Sequence, residues 1–159
     1  MAANVHHSFD LPEEREVSFP PAHTAEHLLN QTMVRMFGCE RSANAHIERK
    51  KSKMTFLLDH KPSRQEEKEI ERQMNALIDD DLLVTTEMVS RDDVPEGVSL
   101  DRLPDDASET IRLVRIGDYD VCPCIGKHVR STSQIGRFVM LGTNWDEMER
   151  TFRVRFKIV

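Results

Sequence analysis

The chain has 159 residues, of which 31% are charged, and its formal net charge is −6. A chain of this length suits about one domain and can bury a core without disulfides. Its three cysteines do not make a disulfide framework, and no apolar run approaches the ~20 residues of a membrane helix. We therefore expect a soluble, cytoplasmic protein with no membrane partner.

The first half of the chain predicts two long helices. Residues 1–19 are expected to form an N-terminal arm or edge strand, and residues 20–159 a single domain. Two prolines precede a predicted helix from His23 to Phe37, which Gly38 ends. Strands are predicted at residues 45–48 and 53–58. Ser63 and Glu66 form a capping-box signature, which opens a second helix that runs to residue 79.

Strands dominate the second half. They are predicted at residues 82–89, 111–116, 137–141 and 151–158, and the last two are expected to join around Gly142, Thr143 and Asn144. An acidic connection with one short helix is expected at residues 90–106. Two long helices and strands separated by short turns predict an α+β domain, with a largely antiparallel sheet packed on the helices.

Charge is unevenly distributed along the sequence. Residues 1–40 carry a net charge of −4 and residues 62–110 carry −10, whereas residues 41–61 and 124–159 carry +4 each. Such blocks are often only solvated faces, but both basic segments flank the two motifs described next, where they would attract a phosphate backbone. We predict one positive rim formed by Arg49, Lys50, Lys51, Lys127 and Arg130.

Two short motifs together offer metal ligands. His23 and His27 are four residues apart in an apolar-periodic stretch, so a helix would present both imidazoles on one face. Far along the chain, Cys122, Cys124 and His128 lie in a segment whose proline and glycine predict a turn. Three nitrogens with one sulfur, or two of each, are then available, and mixed nitrogen and sulfur ligation suits zinc.

These motifs resemble those of a known family, the freestanding alanyl-tRNA editing proteins. The resemblance is carried by His-Thr-Ala-Glu-His-Leu-Leu at residues 23–29, Lys-Pro-Ser at 61–63, Arg-Ile-Gly-Asp-Tyr-Asp at 115–120, Cys-Ile-Gly-Lys-His at 124–128 and Ser-Thr-Ser-Gln-Ile-Gly at 131–136. The resemblance spans residues 20–159, and the chain is similar to the short type of these proteins. They are relatives of the editing domains of alanyl- and threonyl-tRNA synthetases.

The resemblance implies a zinc-dependent hydrolase that deacylates tRNA(Ala) mischarged with serine, or with glycine. It implies one zinc ion per chain, with His23, His27, Cys124 and His128 as ligands, and it leaves Cys122 outside the ligand set. The common synthetase-like form of the second motif is Cys-Gly-Gly-Thr-His, so isoleucine and lysine at positions 125 and 127 are departures. They affect the expected substrate preference more than the expected metal binding.

The resemblance also places Ser42 and Asn44 near the seryl hydroxyl. A site that hydrogen-bonds this hydroxyl can spare alanine, because the alanyl ester would leave buried polar groups unpaired. Either residue is equally suited to a turn. No catalytic side chain is assigned, since zinc itself can activate water or position the ester. Four protein ligands, however, are typical of a structural zinc site, and catalytic zinc usually has three.

Two other classes of protein remain open. The string His-x-x-Glu-His is also the inverted zinc-protease motif, with Glu26 as general base, and it occurs in S-ribosylhomocysteine lyases. Against a protease, a Cys/His loop completes the ligand set here; against the lyase, nothing outside the helix matches. The other alternative is not an enzyme but a module that binds tRNA and needs zinc to fold. The sequence leaves the oligomeric state open.

Overall fold

The computed structural model describes residues 19–98, 100 and 109–159. The predicted N-terminal arm at residues 1–19 lies outside these ranges except for Phe19. The described residues form two long helices and seven strands. The helices are α1 (Pro20–Phe37) and α2 (Arg64–Asp79), and the strands are β1 (Asn44–His46), β2 (Ser52–Leu57), β3 (Val84–Ser90), β4 (Thr110–Ile116), β5 (Asp120–Pro123), β6 (Phe138–Asp146) and β7 (Thr151–Ile158).

Residues at the helix ends explain where α1 begins and ends and where α2 begins. Helix α1 starts three residues before its predicted first residue, because prolines are well tolerated in the first turn, where backbone N–H groups have no partner within the helix. It ends at Gly38, whose φ of 67° is left-handed and whose N–H donates to the Val34 carbonyl. The predicted capping box of α2 is confirmed, with Ser63 and Glu66 each accepting the other's backbone N–H.

The strands form two antiparallel sheets. The larger sheet has the order β1-β2-β7-β6, and the smaller one has the order β3-β4-β5. The predicted α+β class and antiparallel pairing are confirmed, although the strands are divided between two sheets. In the described part of the acidic connection, Arg91–Asp93 form a 3-10 turn. No helix in the described ranges is long and apolar enough to span a bilayer.

The core lies between the larger sheet and the two helices. Alternation along β2 and β7 places every second residue on the helix-facing side, and these residues are buried: Met54, Phe56, Phe152, Val154 and Phe156. Helix α1 contributes Leu28, Leu29 and Met33 to the same core. The burial of this face fixes which side of α1 is left to meet the loop after β5.

The predicted turn at Gly142, Thr143 and Asn144 is wrong. These residues lie inside β6, which continues to Asp146 and carries a bulge between Met140 and Gly142. The real turn follows Asp146, whose carboxylate accepts the backbone N–H groups of Met148 and Glu149, both at 3.0 Å. An aspartate that bonds the backbone two and three residues ahead stabilises a tight turn. The glycine therefore marks a bulge and not the end of the strand.

Candidate metal centre

The predicted histidines lie in the first turns of α1. His23 and His27 are one helical turn apart and both are buried, with 5% of each residue exposed. Their ring centroids are 5.2 Å apart. The His23 N–H donates to the Phe19 carbonyl, so the ring is carried by backbone that is already helical. The helix thus presents two imidazoles from one face, as its periodicity predicts.

The loop after β5 brings the other two predicted ligands to this face. Ligand atoms of His23, His27, Cys124 and His128 all lie within 4.8 Å of one another, so the group can hold a metal ion. The ring of His128 stacks on His23 with centroids 4.4 Å apart, and it lies 4.8 Å from His27. More than ninety residues of chain separate the two halves of this cluster.

Gly126 allows the loop to approach α1 this closely. A Cβ atom at position 126 would lie 2.1 Å from Cε1 of His23, which no side chain tolerates. Arg112 of β4 holds the loop from its other side by donating to the Gly126 carbonyl at 2.8 Å. The Val129 N–H donates to Oγ1 of Thr24 on α1 at 3.1 Å. The loop is therefore tied to β4 at Gly126 and to α1 at Val129.

His23 is oriented as a ligand by its second ring nitrogen. Its Nδ1 donates to the Lys127 carbonyl at 3.1 Å, which leaves the lone pair on Nε2. That Nε2 lies 3.3 Å from Sγ of Cys124. In a tetrahedral zinc site with the usual bond lengths, a nitrogen and a sulfur ligand are separated by about 3.5 Å. This edge of the cluster therefore already has the dimensions of a zinc site.

The other two imidazoles have nitrogens that need a partner. Both ring nitrogens of His27 and of His128 are buried and make no hydrogen bond within the described part of the chain. Buried polar atoms are rarely left without a partner, because the loss of hydration costs about 1–3 kcal/mol for each group. A bound cation would satisfy one nitrogen of each ring. Three imidazoles and one thiolate are a ligand set that zinc takes.

The charges within the cluster also suit metal ligation. Burial opposes ionisation of the Cys124 thiol, but its contacts with His128, His23 and His27 outweigh burial and lower its pKa to about 3. The group is thus a thiolate at neutral pH, which is the form that binds metals. Burial lowers the pKa of His128, which favours the neutral imidazole. His27 is the exception: burial would lower its pKa, but Asp120 and the neighbouring cysteines outweigh burial and raise the pKa well above 6.5, so a metal ion must displace a proton from this ring.

A buried carboxylate stands behind His27. Asp120 is 2% exposed, and its Oδ2 lies 3.7 Å from Nδ1 of His27. Arg41 binds its two oxygens at 2.7 and 3.2 Å, and Gln31 donates to Oδ1 at 3.1 Å. Burial would raise the pKa of Asp120, but His27 and Arg41 together hold it below 3.8. Sequence reasoning included Asp120 only as part of the motif at residues 115–120 and assigned it no role.

Glu26 and Cys122 both lie close to the cluster. Oε1 of Glu26 is 3.7 Å from Nε2 of His23, and its side chain is 23% exposed, so it lies at the rim of the site. Cys122 is a half-buried free thiol at the end of β5 whose Sγ lies 3.5 Å from the Pro123 carbonyl. It is not among the four clustered ligands, and its contact with His27 contributes to the raised pKa of that histidine.

The structure gives Ser42 and Asn44 different environments. Ser42 is buried, and its hydroxyl contacts the carbonyls of Asn44 and Thr55 at 3.0 and 2.8 Å while its N–H donates to Asn30. Its hydroxyl proton is therefore directed at the main chain, and its contact with a substrate remains a prediction. Asn44 is exposed and lines a depression of about 240 Å³, to which none of the four ligands contributes. Asn30 links this region to α1, three residues beyond His27.

The five residues of the predicted positive rim are all exposed. Arg49 lies over the ring of Phe19, 4.4 Å from its centroid, and so sits beside the start of α1. Lys127 belongs to the cysteine loop, where its carbonyl accepts from His23. The Arg130 carbonyl accepts the Val84 N–H at the edge of the smaller sheet. Their joint binding of RNA remains a prediction.

Comparison with known families adds an independent observation. Residues 111–154 match the second additional domain of threonyl and alanyl tRNA synthetases. This stretch runs from β4 into β7, so it includes Cys124 and His128 but not the helix that carries His23 and His27.

Similarity to curated proteins covers more of the chain. The alanine–tRNA ligase of Idiomarina loihiensis is 29% identical over 136 residues, which are 81% of this chain and 15% of that protein. The alanine–tRNA ligase of Halorubrum lacusprofundi is 34% identical over 124 residues, covering 76% of this chain and 13% of the ligase. The chain thus spans less than one-sixth of the length of either relative. Both comparisons confirm the resemblance predicted from the motifs.

Proposed function

Because this chain is related to the editing domains of threonyl- and alanyl-tRNA synthetases, we propose that it is a zinc-dependent aminoacyl-tRNA hydrolase. Its substrate would be tRNA(Ala) wrongly charged with serine, or with glycine, in the cytoplasm. The observation that carries the proposal is the convergence of His23, His27, Cys124 and His128 within 4.8 Å. On this proposal, residues 20–159 form a single editing domain that holds one zinc ion.

The four residues of the cluster fit zinc by charge and by donor type. Cys124 would supply a thiolate, and His23, His27 and His128 would each supply one nitrogen. The ring nitrogens of His27 and His128 are buried without a hydrogen-bond partner among the described residues. When bound, zinc supplies Lewis-acid chemistry that can polarise an ester carbonyl or activate water. With four protein ligands, positioning of the substrate is the role that demands least change in coordination.

The chain's own groups around the cluster have distinct tasks on this proposal. The Lys127 carbonyl orients His23 through a hydrogen bond, and the Asp120 carboxylate faces Nδ1 of His27 at 3.7 Å. Gly126 holds the thiolate loop against the helix. Glu26 lies at the rim of the site, with Oε1 at 3.7 Å from Nε2 of His23.

Discrimination between serine and alanine needs a polar group that the seryl hydroxyl can satisfy. We retain Asn44 for this role, because its side-chain amide has no hydrogen-bond partner among the described residues. It also lies two residues from Ser42, whose backbone is bound to Asn30 on the ligand-bearing helix. A hydrogen bond of this kind discriminates more strongly than the size of the side chain, since serine is the larger amino acid.

The direct test is deacylation of three charged tRNAs by zinc-replete protein. We expect Ser-tRNA(Ala), or Gly-tRNA(Ala), to be hydrolysed and Ala-tRNA(Ala) to be spared. Protein that leaves both mischarged tRNAs intact would exclude the proposal.

The non-catalytic alternative is separated by a second measurement. A zinc-stabilised tRNA-binding module would lose its fold with its metal, because metal binding then supplies the folding free energy. The editing hydrolase, whose core of leucines, methionines and phenylalanines lies between sheet and helices, should keep its fold and lose only hydrolysis. Far-ultraviolet circular dichroism of metal-stripped protein distinguishes the two.

A further inference from the structure

The outer side of the larger sheet carries a row of cations that have no ion-pair partner among the described residues. On β2 and β7 the residues that alternate with the core point to solvent, and they include Lys53, Arg153 and Arg155. All three are exposed. Lys53 lies directly opposite Arg155 in the β2–β7 pairing, and Arg153 lies opposite Thr55. We call this group of three cations the outer face.

The arrangement of the outer face is electrostatically unfavourable for the protein alone. Like charges directly opposite one another on antiparallel strands destabilise the pairing. Elsewhere arginines are matched with acids, as in the pairs Arg72–Glu69 and Arg137–Asp79. Within the described ranges the three outer-face cations form no ion pair and no side-chain hydrogen bond, although acidic residues outnumber basic ones in the chain. The nearest carboxylates along these strands, Glu48 and Asp146, contact His46 and a turn backbone instead.

The backbone makes room for one of these cations. A Cβ atom at Gly142 would lie 2.5 Å from Nη2 of Arg155, so the glycine at the β6 bulge lets the guanidinium lie across the neighbouring strand. Lys53 and Arg153 line the same depression of about 240 Å³ as Asn44. The surface is therefore concave, polar and positively charged at the β1 edge of the sheet.

We propose that the outer face binds the phosphodiester backbone of the tRNA whose charged end reaches the metal centre. This inference rests on the proposed function and names a surface distinct from the rim at Arg49, Lys50 and Lys51. Arginine and lysine side chains that lack protein partners suit phosphates, which supply most of the affinity in nucleic-acid binding. A polar depression lacks the apolar anchors by which a protein surface enters a membrane, which favours RNA as the occupant.

The position of the outer face agrees with this path for the RNA. Strand β1 forms the edge of the larger sheet, and Ser42 just before it is bound to Asn30 on α1, three residues beyond His27. Asn44, Lys53 and Arg153 line one depression at this edge. An RNA strand bound to the outer face would reach the side of the sheet that carries α1 around the β1 edge.

The test measures binding of unacylated tRNA(Ala) by fluorescence anisotropy between about 50 and 200 mM salt. The variant carries Arg153→Glu with Arg155→Glu. Its matched control carries Arg64→Glu with Lys68→Glu, which makes the same change of charge on α2. We expect the outer-face variant to bind at least about tenfold more weakly than the control, with a salt slope shallower by about 2, one for each lost phosphate contact. Arg153→Gln with Arg155→Gln provides a milder pair if the charge reversal disturbs folding.

Hydrolysis of 3′-O-seryl adenosine, which has no phosphate backbone, should be unchanged in Arg155→Glu alone, because Arg155 is not among the residues that line the depression of Asn44. Equal affinity and equal salt slope in variant and control would overturn the inference while leaving the proposed hydrolase intact. If the protein instead binds tRNA in a salt-dependent way that needs the outer face but does not deacylate it, the proposed hydrolase is excluded and the RNA-binding role of the outer face stands. If vesicles rich in phosphatidylserine retain wild-type protein but not the variant, and RNA binding is unaltered, the occupant is a membrane and the inference is wrong.

Discussion

Replacing Asp120 by asparagine should weaken both the fold and the metal centre. The change removes one negative charge and keeps the shape of the side chain. In the wild-type protein this carboxylate is almost fully buried, binds Arg41 through both oxygens and faces Nδ1 of His27. The variant therefore removes the negative charge that the Arg41 guanidinium binds and that faces the His27 imidazole.

The size of the effect follows from burial. Breaking a buried ion pair costs about 3–5 kcal/mol when both partners are fully buried. The Arg41 side chain is 25% exposed and can turn towards water, so we expect a loss of about 2–3 kcal/mol in the free energy of unfolding. For a domain of this size that corresponds to a midpoint roughly 5–10 °C lower. Removing a carboxylate that orients a metal-bound histidine typically lowers metal affinity about 10–100-fold.

Two assays measure these quantities separately. Thermal unfolding of metal-free protein followed by circular dichroism gives the stability change, and competition with a chromophoric chelator gives zinc affinity. Asp118→Asn is the matched control, because Asp118 is exposed in the turn before β5 and loses the same charge. Unchanged zinc affinity and an unchanged midpoint in the Asp120 variant would refute the assigned role of this carboxylate.

The stability difference should also depend on pH in a defined direction. The folded pKa of Asp120 lies below 3.8 because His27 and Arg41 outweigh the effect of burial. A group with a depressed pKa contributes stability above its unfolded pKa and loses it as pH falls through the folded pKa. Wild type and Asp120→Asn should therefore differ fully above pH 3.8 and converge in more acidic solution. A difference that grows as the pH falls would contradict this account.

Three further predictions concern the zinc ligands, the discrimination between seryl and alanyl esters, and the positive rim. Cys124→Ala should abolish zinc binding and hydrolysis of Ser-tRNA(Ala), whereas Cys122→Ala should keep most of both; inactivation by the second change alone would show that the ligand assignment is wrong. Asn44→Ala should narrow the ratio of seryl to alanyl hydrolysis without loss of zinc, and an unchanged ratio would exclude Asn44 from discrimination. Lys50→Glu with Lys51→Glu should raise KM for charged tRNA while zinc content stays constant. If tRNA binding depends neither on salt nor on these two substitutions, the positive rim is only a solvated surface.

The sequence predicted those features that depend on local periodicity and end signals. Helix α2 follows from its capping box, and the pairing of His23 with His27 follows from the helical repeat. The convergence of the two motifs could be inferred because scattered histidines and cysteines with zinc-ligand chemistry need a common metal. Only the structure shows why Gly126 is needed, since its close neighbour His23 lies more than one hundred residues away.

Contacts between distant polar residues could not be predicted in the same way. Arg41 and Asp120 are 79 residues apart, and neither lies in a pattern that identifies the other as its partner. The hydroxyl of Ser42 is a suitable group for contacting a substrate, but its hydrogen bond to the Thr55 carbonyl depends on how the chain before β1 packs against β2. Gly142 is read locally as a turn, whereas the long pairing of β6 with β7 favours a bulge within the strand.

The measurement that tests the central claim most directly is the initial rate of Ser-tRNA(Ala) deacylation as zinc is returned to metal-stripped protein. The rate should rise in proportion to added zinc and level off at about one ion per chain, and Ala-tRNA(Ala) in the same solution should stay charged. A rate that is independent of zinc, or equal loss of both esters, would contradict the assignment of a zinc-dependent editing site to His23, His27, Cys124 and His128.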